Sequence, residues 1–254
     1  MESFLEVDNL SKQFGGLVAV DRAKFQINRN EIVGLIGPNG AGKSTLIRLI
    51  TGILHPTSGK VRFQGEDITG QAIYKITNKG IASTSQIVKP FRGLSVLANV
   101  IVAALSPRGK REGEWVKTAE IRGRDALEFC GIADLLLESA STLSHGDLKR
   151  LEIARAIATE PELLILDEPL GGLNPAEANL IIKSLRRLHK GGRFGRLHSE
   201  GPALLIVEHR LEELMKIAER LIVLNFGCII ADGPPQDVVK NKEVIKAYIG
   251  READ

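Results

Sequence analysis

The stretch Gly37-Pro38-Asn39-Gly40-Ala41-Gly42-Lys43-Ser44-Thr45 leaves this chain few folds to choose from. Its spacing is G-x-x-x-x-G-K-[ST]. The apolar run Ile32-Val33-Gly34-Leu35-Ile36 precedes it, and Leu46-Ile47-Arg48-Leu49-Ile50, with a helical pattern, follows. A strand that turns at once into a helix needs glycines at the turn, and the successive N–H groups of such a turn converge on one anion. The positive end of the helix dipole adds to that field. The sequence thus predicts a cradle for a phosphate chain, lined by Gly37, Asn39, Gly40, Ala41, Gly42 and Thr45. Lys43 is placed to reach the β- and γ-phosphates, and Ser44 to offer its hydroxyl to Mg²⁺.

Further short apolar runs at 163–166, 203–207 and 221–224 are almost unalternated. Parallel strands covered on both faces read this way. With helical patterns between them they predict an α/β layered fold. Phe4-Leu5-Glu6-Val7, Ala23-Lys24-Phe25-Gln26-Ile27 and Val61-Arg62-Phe63 are short, partly alternating and turn-bounded. They predict an antiparallel β layer at the edge of the core. Residues 90–149 change character. Ser95 is placed to cap a helix, and 112–129 is charged, mixed and helical in pattern. This stretch predicts an α-helical subdomain inserted into a core made of 1–89 and 150–240, followed by a tail at 241–254. The polar link 106–111 reads as an exposed connection. The Gly- and Arg-rich stretch 190–202 reads as a mobile surface loop, with contact to an acidic partner or lipid headgroups as the alternative.

Composition excludes several classes. Hydrophobic residues at 43% and charged residues at 26% suit a globular protein with a sizeable core. A net charge of +3 gives no argument for nucleic acid. The two cysteines, Cys130 and Cys228, make no disulfide framework and read as small buried apolar residues of a reducing compartment. The first residues lack a signal-peptide pattern, and no apolar run approaches the roughly 20 residues of a membrane span. A membrane role would therefore be exercised through a partner.

A phosphate loop is shared by kinases, GTPases and many ATPases; the rest of the chain separates them. Leu163-Leu164-Ile165-Leu166-Asp167-Glu168 is an apolar strand ending in two acids. Asp167 suits the Mg²⁺ shell, and Glu168 a water aligned for attack on the γ-phosphate. Upstream lies Leu143-Ser144-His145-Gly146-Asp147, leading into a helix. Ser144 offers a hydroxyl and Gly146 an unobstructed N–H at that helix N-terminus, a place that suits anions. His145 reads as an exposed substitution, since no Cys/His cluster accompanies it.

This segment resembles the L-S-G-G-Q signature of the ATP-binding cassette (ABC) family, with His145 and Asp147 departing from the commonest form. Other motifs follow in order: Gln86 resembles the glutamine loop, Gly172-Leu173-Asn174-Pro175 the loop after the second acid, and His209 the switch histidine. Asn174 stands where the family usually has aspartate, which removes a charge from the dimer seam. The resemblance spans nearly the whole chain. It implies a P-loop NTPase core of RecA-like type, with a mainly parallel sheet. It implies ATP as ligand, ADP as product and Mg²⁺ held by Ser44, Gln86 and Asp167. Glu168, His209, Lys43 and Gln86 would be catalytic, Phe14 would stack on adenine, and Val20 would touch base or ribose. Ser144 and Gly146 would grip the γ-phosphate held by a second ABC ATPase subunit.

Within the family, Phe14-Gly15-Gly16-Leu17-Val18-Ala19-Val20, the 172–175 loop and the stretch 244–250 resemble the ATPase subunits of branched-chain amino-acid importers. That resemblance implies integral membrane permease subunits as partners and, indirectly, a solute-binding protein, with no nucleic acid. It places the chain in the cytoplasm, peripheral on the inner face of the membrane. Val88, Pro90, Phe91, Leu94 and Leu97 would form the permease groove, with ordinary packing inside the subdomain as the alternative. The alternative is a soluble cassette ATPase of translation or DNA repair. A small-molecule kinase or GTPase leaves 143–147 and His209 without a role.

Overall fold

The computed structural model describes residues 4–85, 89–105, 115–191 and 201–249. Gln86, Val88, the link at 106–111 and residues 192–200 of the Gly- and Arg-rich stretch lie outside the described residues. In chain order the elements are β1 (Leu5–Phe14), β2 (Leu17–Ile27), β3 (Ile32–Ile36), α1 (Lys43–Ile50), β4 (Ser58–Phe63), β5 (Glu66–Asp67), α2 (Ile73–Lys79) and β6 (Ile81–Ser83). Then come α3 (Val96–Ala104), α4 (Trp115–Phe129), α5 (His145–Ile157), β7 (Leu163–Asp167) and α6 (Pro175–His189). The remainder holds β8 (Ala203–Val207), α7 (Leu211–Met215), β9 (Arg220–Asn225), β10 (Cys228–Gly233), α8 (Pro235–Val238) and α9 (Lys242–Ile249). Two compact units result: one of the described residues up to 76 and from 203 onward, the other of those from 77 to 202. The division falls at 76/77 and 202/203, with β6, β7 and α6 in the second unit.

In the first unit β3 lies between β8 and β9 and runs parallel to both, with Val33 opposite Leu205 and Leu35 opposite Ile222. Every residue of β3 and β8 is buried, as are Leu221, Ile222, Val223 and Leu224 of β9. Each large apolar side chain fully buried this way stabilises the fold by about 1.5–3 kcal/mol. β10 returns antiparallel on β9. A second, antiparallel sheet has the order β2-β1-β4-β5. Its first two strands run longer than the sequence suggested, because the β1–β2 register shifts after Val7 and Asn9 and Arg22 adopt positive φ (48° and 46°). Such irregularities break the period-2 pattern by which a strand is recognised.

In the second unit β6 and β7 pair in parallel, with Ile81 opposite Leu163. Ser95 caps α3 as expected, its hydroxyl accepting from Ala98 N–H at 3.2 Å. Asn99, fully buried on α3, accepts from Phe91 N–H (2.8 Å) and donates to Phe91 O (3.1 Å) and Ser95 O (3.0 Å). One amide therefore shapes the whole turn before α3. The α/β class, with parallel strands and an antiparallel layer, agrees with the expectation. Cys130 is buried, and burial pushes its thiol up to about 12. Cys228 is only half-buried, because it opens β10 directly after the turn at Phe226 and Gly227. Among the described residues no helix is long and apolar enough to cross a membrane.

Candidate functional site

The first unit carries the phosphate loop. β3 ends at Ile36 and α1 starts at Lys43, so the six residues between them make the turn. Gly42, at φ 105°, sits where a Cβ would strike the carbonyl oxygen of Ala19; only glycine fits there. No side chain caps α1, and its ladder opens with Leu46 N–H bonded to Gly42 O at 2.9 Å. The first-turn N–H groups of such a helix are oriented for an anion. Lys43 is buried, and its Nζ donates to Gly37 O (2.6 Å) and Pro38 O (3.1 Å). An anionic oxygen is a stronger acceptor than either carbonyl.

Neighbouring elements hold the loop in shape. Gly227 N–H donates to Ala41 O, and Asp21 N–H donates to Gly227 O, both at 2.9 Å. On α9, burial pushes the Tyr248 phenol up to about 12. Phe14 ends β1 with its ring 44% exposed and the Lys12 ammonium 5.0 Å from its centroid, so it is a surface aromatic and no part of the core. Val20 corrects the expectation of a base or ribose contact: it is completely buried and has no surface to offer. His209 follows β8, about half exposed, with Nδ1 3.8 Å from a carboxylate oxygen of the fully buried Glu208. That is too long for a hydrogen bond. An acid beside a histidine at a strand end was the available signal for Glu208.

The second unit carries the acids and the signature segment. β7 delivers Asp167, whose N–H donates to Thr84 Oγ1 at 3.2 Å. Glu168 follows at φ 51°, a region that non-glycine residues seldom occupy. Ser144 caps α5, accepting from Asp147 N–H (3.1 Å) and donating to Asp147 Oδ2 (2.6 Å). Gly146 is buried, and a Cβ on it would lie 2.8 Å from Glu177 Oε1. His145 is exposed as expected, but it is engaged: its Nε2 lies 3.2 Å from Gly171 O.

Asn174 caps α6. Its Oδ1 accepts from Ala176 and Glu177 N–H, and Glu177 Oε2 accepts from Asn174 N–H, all at 3.0 Å. The run Asn174-Pro175-Ala176-Glu177 has capping-box spacing with Pro at the first helical position. Asparagine and aspartate cap equally well, because the cap needs only an acceptor oxygen. Asn174→Ala is therefore expected to lower unfolding free energy by about 1 kcal/mol, and Asn174→Asp by less than about 0.5. Urea denaturation of the two variants checks this.

Phe14, Lys43, Ser44, Thr45 and His209 thus belong to the first unit, and Asp167, Glu168, Ser144 and Gly146 to the second. Of the expected partner groove, Phe91 (46%) and Leu94 (39%) are exposed. Leu97 is buried, so it packs inside the unit instead of lining a groove. Arg155 steadies the exposed part, its guanidinium 5.2 Å from the Phe91 ring and bonded to Lys89 O at 3.1 Å.

Comparison with known proteins agrees with this geometry. A family model described as ABC transporter matches residues 20–171, and one described as branched-chain amino acid ATP-binding cassette transporter matches 228–254. The chain is 36% identical to the high-affinity branched-chain amino acid transport ATP-binding protein BraF of Pseudomonas aeruginosa, over 97% of both chains. It is 37% identical to the probable branched-chain amino acid transport ATP-binding protein LivG of Archaeoglobus fulgidus, over 97% of this chain and 95% of that one. Among solved structures, the ADP conformation of MJ1267, an ATP-binding cassette of an ABC transporter, superposes with TM-score 0.85 at 31% identity, covering 99% of this chain and 100% of that one. The chain belongs to the ABC transporter family. It is an ATPase cassette of that family, and its nucleotide-binding fold is the one the phosphate loop demanded.

Proposed function

We propose that this chain is the ATP-hydrolysing subunit of an importer for branched-chain amino acids or a related small solute. The observation that carries the proposal is 36–37% identity, over 97% of the chain, to proteins named for branched-chain amino acid transport. In this reading Phe14 stacks on adenine, while Lys43 and the N–H groups of the 37–45 loop hold the β- and γ-phosphates. Glu168 accepts a proton from the attacking water, and His209 orients that water. Ser144 and Gly146 of one protomer meet the γ-phosphate bound to its partner, so hydrolysis to ADP releases the pair.

Ser44, Asp167 and Gln86 would hold Mg²⁺. Among the described residues no cluster of three or more His, Cys, Asp or Glu forms a ready metal cage. A hydroxyl and a single carboxylate suit an ion coordinated mostly by phosphate oxygens and water. When bound, it neutralises charge on the transferring phosphoryl group. Attachment to the inner face of the membrane goes through permease subunits, for which the exposed Phe91 and Leu94 offer an apolar seat. A solute-binding protein then selects the cargo.

Isolation of the tagged chain from membranes in mild detergent tests the assignment. Integral membrane subunits are expected to co-purify. ATPase activity of the assembly should rise when its solute-binding protein is loaded with leucine, isoleucine or valine. Recovery with ribosomes or DNA, and without a membrane protein, overturns it.

A further inference from the structure

Helix α5 does more than present Ser144 and Gly146. His145, Lys149 and Glu152 are spaced i, i+4 and i+7, which aligns them along one stripe of the helix. Lys149 is buried, only 4% exposed, and its Nζ donates to the carbonyl of Glu168 at 3.0 Å. The same carbonyl accepts from Gly171 N–H at 3.2 Å. The carbonyl of Gly171 in turn lies 3.2 Å from His145 Nε2. A carbonyl only accepts, so this bond requires the tautomer with its proton on Nε2. The imidazole also sits against Gly172, where a Cβ would come within 2.9 Å of Nε2. The turn 168–171 is thus gripped at both ends by α5. One turn further along, Glu152 Oε1 accepts from Ser85 N–H and from Ser85 Oγ, both at 2.8 Å.

What this grip holds is a backbone in a costly conformation. Glu168 has φ 51°, which a side chain with a Cβ adopts only where its surroundings impose it. The Lys149 bond ties a buried ammonium directly to the carbonyl of this strained residue. We infer that Lys149, assisted by His145, is a positioning residue that fixes the Glu168 backbone and thereby the aim of its carboxylate. The inference rests on the reading of Glu168 as the water-activating group. It makes the signature helix and the hydrolytic acid one mechanical piece, so that displacement of the first misaims the second.

Steady-state ATPase kinetics of the full-length chain test this. A misplacement of about 1 Å costs on the order of a hundredfold, so Lys149→Met should lower kcat about 10- to 100-fold while KM for ATP stays within about twofold. Lys149→Arg keeps a charged donor and should recover kcat to within about fivefold of the parent. In an E168Q background Lys149→Met should add no further loss, since residues acting through one group are not additive. Near-normal turnover in E168Q alone defeats the reading of Glu168, and this inference with it. Slow turnover in E168Q with normal kcat in Lys149→Met, or losses that simply add, defeats only the inference. Should Lys149→Met fail to fold, the exposed His145→Ala carries the test: about a threefold loss of kcat, absent in E168Q. No loss in that variant overturns the proposal.

Discussion

Replacing Glu168 with glutamine is expected to lower kcat for ATP hydrolysis by about 10²–10⁴-fold while leaving nucleotide affinity nearly unchanged. The residue directly follows a wholly buried strand, β7, and its carbonyl accepts from Lys149 and Gly171, so an isosteric amide alters chemistry without altering shape. An amide cannot take a proton from water at neutral pH. ATP should then persist between two protomers, and a nucleotide-trapped dimer should elute early from a sizing column. Rapid turnover in this variant would remove Glu168 from the reaction.

Lys43→Ala should have the other large effect, on binding as well as turnover. The ammonium is buried inside its own loop, held by the carbonyls of Gly37 and Pro38. Its loss deprives the phosphate chain of a charged donor in a site of low dielectric. One such donor is worth about 10²–10³ in rate. Affinity measured by calorimetry and rate measured by phosphate release should both fall by at least about tenfold. Unchanged values for both would show that the phosphates lie elsewhere. The contrast between the variants is informative: one spares affinity and the other does not.

The phosphate loop was readable because its chemistry is main-chain chemistry, and the glycines that permit it stand in the sequence at fixed intervals. The buried parallel strands were readable for a similar reason, since β3 and β8 need apolar side chains on both faces. Other features follow from tertiary contact and leave a weaker trace. Lys149 reads as one more charged residue on a mixed helix, and only its neighbours reveal that it is buried. His145 was read correctly as exposed, but its bond to Gly171 joins positions that are adjacent only after folding. Val20 was assigned to the ligand by its place in a motif, whereas on β2 it is completely buried. Asn174 is the opposite case, because its capping box was written in the sequence beside a family motif that drew attention first.

The pairing of β3 also governs when this molecule acquires its activity during synthesis. The strand that launches the phosphate loop is hydrogen-bonded to β8 and β9, and the loop leans on the β9–β10 turn. A ribosome makes those partners long after it has made the loop. The emerging polypeptide must therefore wait with its central strand unpaired, exposed to chaperones and to its own kind. A translation product interrupted before β8 would hold every residue of the phosphate motif and still lack the scaffold that gives the motif its shape.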